Sequence, residues 1–155
     1  MNNQIDSRLK ELGLTLPKAV PPLANYVPWV KSGNMLYVSG QLAVGPSGLE
    51  HPGRVGKDFT VDQAKGAARL AALNVISQVS AALGGNLARV MRVVKVTGYV
   101  NSGEGFAQQP EVVNGASDLF VEVFGDKGRH TRAAVGSSSL PRNSCVEIEA
   151  VFEIA

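Results

Sequence analysis

A single cysteine, Cys145, stands among 155 residues, which excludes an intrachain disulfide framework and fits a reducing compartment. The two histidines, His51 and His130, are isolated and lack the spacing of a metal site. No apolar run approaches the roughly 18 residues that span a bilayer. The start, "MNNQIDSRLKELG", has no apolar core of a signal peptide, so a soluble, cytoplasmic protein is expected. Aromatic residues make up 6%, and the 15 basic side chains are scattered among 13 acidic ones. A basic stripe interleaved with aromatics is missing, and nucleic acid is not an expected partner. The Gly-rich "GPSGLEHPG" lacks the Lys-Ser/Thr ending of a phosphate loop.

What is present describes a folded chain: 45% hydrophobic and 18% charged residues suit one globular domain over 1–155. "DSRLKELG" predicts a short helix with Asp6 as cap and Gly13 as stop, inside an N-terminal extension of about 20 residues. The Pro-rich "TLPKAVPPLA" must be extended. "NYVPWVKSGNMLYVSGQLAV" holds two apolar runs around "SGN", a hairpin whose first strand, interrupted by Pro28, belongs at a sheet edge. Residues 44–58 read as a loop. Thr60 and Gln63 form a capping box, and Ala64, Ala68, Ala71, Val75, Val79 and Leu83 recur at helical spacing before Gly84-Gly85. "VMRVVKVTGYV" is a strand, and Pro110 opens a second long helix that Gly125 closes. With two C-terminal strands the order is α-β-β-α-β-α-β-β. The expectation is α+β: a largely antiparallel sheet with two helices packed on one face.

The sheet's other face carries the chemistry. In the last strand Val146, Ile148, Ala150, Phe152 and Ile154 point to the helices, while Cys145, Glu147, Glu149, Val151 and Glu153 point away. Val93, Lys95, Thr97 and Tyr99 are assigned to that same outer face, whose mixed character suits either solvent or a subunit interface. Taken as a hairpin, the last two strands put Ala133 and Val135 on the helix face. One register allowed by parity sets Arg132 across from Glu147, and registers shifted by two residues also leave that pair on one face. A plain cross-strand ion pair, contributing up to ~1 kcal/mol, is one reading of it.

"GNMLYVSGQLAV", "VNGASDLFVEVFG" and "TRAAVGSSSLPRNSCVEIEA", taken together, resemble the YjgF/YER057c/UK114 family, also called the RidA or reactive-intermediate deaminase family. The likeness runs from about residue 24 to the end. Its most specific part is Arg132, then Leu140-Pro141 eight residues on, then Val146-Glu147-Ile148-Glu149. The resemblance implies a chorismate-mutase-like (ferredoxin-like) fold, a homotrimer and a site at each subunit interface. It further implies hydrolysis of enamines and imines such as 2-aminoacrylate to 2-keto acids and ammonia, with no metal or organic cofactor.

Those residues suit that chemistry. A guanidinium fork at Arg132 can hold a substrate carboxylate in two parallel hydrogen bonds. Glu147 can orient water and shuttle protons. By resemblance, Tyr26 closes over the ligand, Ser39 and Gly40 lie at the pocket, and Asn114 could tie down a neighbouring loop. Two features depart from the family pattern: His130-Thr131 stands where many members have Pro-Ala or a similar pair before the arginine, and Ala134 stands where a cysteine is common in the deaminase branch. A non-catalytic module that binds small carboxylates is the first alternative, and an endoribonuclease the second.

Overall fold

The fold is described from a computed structural model covering residues 4–22 and 24–155. Its elements are α1 (Gln4–Glu11), β1 (Trp29–Ser32), β2 (Met35–Leu42), β3 (Val44–Gly45), β4 (Gly48–Leu49), α2 (Val61–Ala82), β5 (Val90–Asn101), α3 (Gln109–Phe124), β6 (Thr131–Ser137) and β7 (Val146–Ile154). A mixed five-stranded sheet runs β1-β2-β7-β5-β6, and β3-β4 form a small ribbon inside the expected loop. The helix α1 starts before Asp6, which lies in its first turn instead of at the cap.

The long helix α2 forms as its sequence dictates. Thr60 accepts from the Gln63 amide at 3.1 Å, and the Gln63 side chain accepts from the Thr60 amide at 2.9 Å. At its end, Gly85 donates to the Ser80 carbonyl and Gly84 to that of Ala81, both glycines at positive φ. The alanine stripe is fully buried, so α2 lies close to the sheet. It meets α3 closely at Gly115, where a Cβ would strike the Lys65 carbonyl. Phe120 of α3 meets Phe152 of β7 edge-on at 5.9 Å, a geometry that adds ~0.5–1.5 kcal/mol to the burial. The β1-β2 hairpin forms as expected, with β1 at the sheet edge just after Pro28.

The C-terminal strands depart from the expected hairpin. β6 pairs parallel with β5 (Arg132 with Val96), and β7 pairs antiparallel with β5 (Glu147 with Tyr99) and with β2 (Glu147 with Leu42). Strands adjacent in sequence are thus separated by β5. The α3 crossover sets this order: it returns the chain parallel to β5, after which residues 138–145 carry it back over the sheet. The faces of β6 are therefore reversed. Ala134 packs toward the core, while Val135 is exposed on the outer face. Arg132 shares the helix side with Val96, and Glu147 lies on the opposite side with Tyr99. The expected Arg132–Glu147 pair on one face does not exist within the chain. An irregularity between Val93 and Lys95 also turns Val93 to the helices, where it is buried. Cys145, expected on the outer face, is fully buried, and burial pushes its thiol up to about 11.

Candidate active site

Glu147 faces a cleft of about 140 Å³ at the end of β2 and β7, whose walls include Tyr26, Gly40, Leu42, Asn74 and Arg142. Three local features build it. The first is a bulge between Val38 and Gln41, which takes Ser39 and Gly40 out of the ladder and brings the β2 backbone against Glu147. A Cβ at Gly40 would collide with the Glu147 carboxylate, so glycine is required there by close approach. The second is the proline strap. Ser77 of α2 donates to the Pro17 carbonyl, and Gln78 donates to that of Val20 at 2.7 Å, which lays Val20, Pro21 and Pro22 along the cleft as an apolar wall. The third is the turn after Pro141. Arg142 and Asn143 adopt φ of 55° and 59°, and Gly53 donates to the Asn143 carbonyl at 2.8 Å. That turn presents Arg142 to the cleft.

The electrostatics favour a protonatable Glu147. Burial, and then the charge of Glu149, raise its carboxyl above the usual carboxylate range. Glu149 itself accepts from the Tyr99 hydroxyl at 2.9 Å, a bond that holds the phenol protonated above its ordinary value. Among the described residues the Glu147 carboxyl has no hydrogen-bond or ion-pair partner. A half-buried carboxyl beside a like charge, facing an open cleft, is suited to giving and taking protons.

The residues expected at the site fall into two groups. Tyr26, Gly40 and Glu147 share the cleft. Ser39 does not line it: its hydroxyl donates to the Val27 carbonyl at 2.8 Å and its amide to that of Pro28 at 2.9 Å, which ties the Tyr26 segment to β2. Arg132 lies two strands away on the other side of the sheet. Its Nη1 donates to Asn114 Oδ1 at 2.7 Å and to Ser117 Oγ at 3.2 Å. Asn114 therefore holds Arg132 and not a neighbouring loop. Arg142 was not expected in the cleft. "LPRNS" shows only an asparagine apt for positive φ at Asn143, and nothing in it marks the preceding arginine as a wall residue. Asn74 was also unexpected; it reaches the cleft from α2 and donates to the Leu42 and Val44 carbonyls, each at 3.0 Å.

A mixed sheet backed by two long helices, with a carboxyl in a cleft and a guanidinium at the edge strand, makes this an α+β domain. The family described as "YjgF/chorismate_mutase-like, putative endoribonuclease" matches residues 6–154. The chain belongs to this YjgF/RidA family. Protein TCP17 of Trypanosoma cruzi is 46% identical over 154 residues, covering 99% of this chain and 96% of the relative. The crystal structure of Atu1372 from Agrobacterium tumefaciens superposes with a TM-score of 0.91 at 52% identity, covering 97% of this chain and 92% of that one. The crystal structure of "a putative endoribonuclease" from Shewanella oneidensis MR-1 has a TM-score of 0.94 at 36% identity, covering 98% of this chain and 100% of that one. Among the described residues, no helix is long and apolar enough to cross a membrane.

Proposed function

We propose that this chain is a hydrolytic deaminase of reactive enamines and imines, acting on 2-aminoacrylate-like acids to give 2-keto acids and ammonia. In this reading the site is completed between subunits of a homotrimer. The observation that carries it is a pair of half-sites. One protomer has a half-buried, unpaired Glu147 in a cleft with Tyr26 and Gly40. It also has an exposed guanidinium at Arg132, on the other side of the sheet at the edge strand β6. A single chain cannot bring the two together; a neighbour's edge strand laid beside the cleft would. The outer sheet face supports such a contact, since Val30, Tyr37 and Val135 are exposed there.

The chemistry then follows from the residues. Arg132 of one subunit binds the substrate carboxylate, while Tyr26 of its neighbour covers the apolar carbon end and offers a hydroxyl. The protonated Glu147 carboxyl gives its proton to the terminal enamine carbon, leaving an iminium. The carboxylate so formed takes a proton from water as the oxygen bonds to the iminium carbon. In the last step Glu147 protonates the departing nitrogen and accepts the hydroxyl proton, so the C–N bond breaks, the C=O bond forms and the carboxyl is restored. Each transfer uses the same group, whose proton affinity burial and the Glu149 charge raise above that of an ordinary carboxyl.

Two readings of one sample test this. Light scattering should give three times the 16.3 kDa chain mass. The same preparation should speed 2-keto-acid release from 2-aminoacrylate generated in situ. A monomer at micromolar concentration, or a release rate equal to that in buffer, would overturn the proposal.

A further inference from the structure

We infer that Ser117 and His130 form a positioning pair that holds the Arg132 guanidinium with one fork free for a carboxylate. This rests on the reading of Arg132 as the acid-binding residue and adds how its orientation is set. The bond directions can be assigned from the two ends. The Gly128 carbonyl can only accept, so the proton of this bond sits on His130 Nδ1, 2.6 Å away. In the neutral ring, Nε2 is then an acceptor, and it takes the Ser117 hydroxyl proton at 2.9 Å. With its hydrogen committed, the Ser117 oxygen accepts from Arg132 Nη1 at 3.2 Å, beside the 2.7 Å bond from Nη1 to Asn114. Both Nη1 hydrogens are thereby spent on α3. Nε and Nη2, the parallel donors that a carboxylate accepts, have no partner among the described residues.

The ring itself is fixed. His130 is half-buried and meets Phe120 edge-on at 5.8 Å. Burial, aided by the Arg132 charge and opposed by the Gly128 bond, holds the imidazole below its ordinary value. The neutral tautomer that the relay needs is thus the form present at neutral pH. The carboxylates nearest in sequence are turned elsewhere, Asp118 to Lys65, Glu122 to Arg69 and Asp126 to Arg129.

Calorimetric titration of pyruvate into the trimer, paired with steady-state kinetics, tests the pair. Ser117→Ala and His130→Phe should each raise the pyruvate Kd and the KM roughly five- to tenfold, with kcat within about twofold. The double variant should be no worse than either alone, because one relay is cut twice. Ser117→Thr, which keeps the hydroxyl, should bind like the parent. Unchanged affinity in Ser117→Ala, a loss confined to kcat, or no recovery in Ser117→Thr would each overturn the pair. Arg132→Lys serves as the reference arm. If it weakens pyruvate while Ser117→Ala and His130→Phe do not, the positioning role alone fails. If it too binds normally, the acid-binding reading of Arg132 fails with it.

Discussion

Glu147→Gln should lower turnover roughly 10²–10⁴-fold while leaving pyruvate affinity within about twofold. The amide fills the volume of the carboxyl and keeps the fit against Gly40, but it cannot exchange a proton. The same substitution makes a distinct prediction about stability. The Glu147 carboxyl titrates higher in the fold than in the unfolded chain, because burial and Glu149 disfavour its charge. Its contribution is then most favourable in acid and is lost as pH rises through the folded value. A glutamine has no such loss. Glu147→Gln should therefore melt no lower than the parent at pH 7, and its advantage should shrink as the pH falls toward the ordinary carboxylate range. Full turnover in the glutamine variant would remove Glu147 from the proton transfers.

Arg132→Lys has the second large effect. Lysine keeps the charge, yet a single ammonium cannot donate to Asn114 and Ser117 and still offer two parallel donors to a ligand. Affinity for a 2-keto acid and turnover should fall together by roughly 1.5–3 kcal/mol, or about 10- to 150-fold. A non-catalytic carboxylate-binding module would show the affinity loss with no parental turnover to lose. A guanidinium that merely solvates the edge strand would show neither change, in calorimetry or in the keto-acid assay.

Local signals in the sequence were read well where one segment decides the outcome. The Thr60–Gln63 box, the alanine stripe of α2, the β1-β2 hairpin and the edge position imposed by Pro28 each depend on neighbours a few residues away. The pairing of β6 and β7 does not. Parity can say which residues of a strand share a face, but it cannot say which strand lies beside it. Sequence adjacency was a poor guide here because β5 separates the two. Apolar Ala133 and Val135 also misled, since the outer face is itself partly apolar, with Val30, Tyr37 and Val135 exposed. The irregularities at Val38/Gln41 and Val93/Lys95 displace residues by one position and leave no mark in composition. At the site, the family resemblance grouped Tyr26, Gly40 and Glu147, which do share the cleft. It also grouped Ser39 with them, whose hydroxyl is instead spent on the Val27 carbonyl. Arg142 escaped notice because its placement depends on a left-handed turn held by Gly53 from a distant loop.

The most direct measurement of a shared site is complementation between two disabled chains. Arg132→Lys keeps a parental Glu147, and Glu147→Gln keeps a parental Arg132. When the two are co-expressed in equal amounts and mix at random in trimers, about a quarter of the interfaces join the two intact halves. Keto-acid release should then recover to about a quarter of the parental rate, far above either variant alone. Mixed trimers of confirmed composition with no more activity than the two variants measured separately would contradict a site built from Arg132 of one subunit and Glu147 of the next.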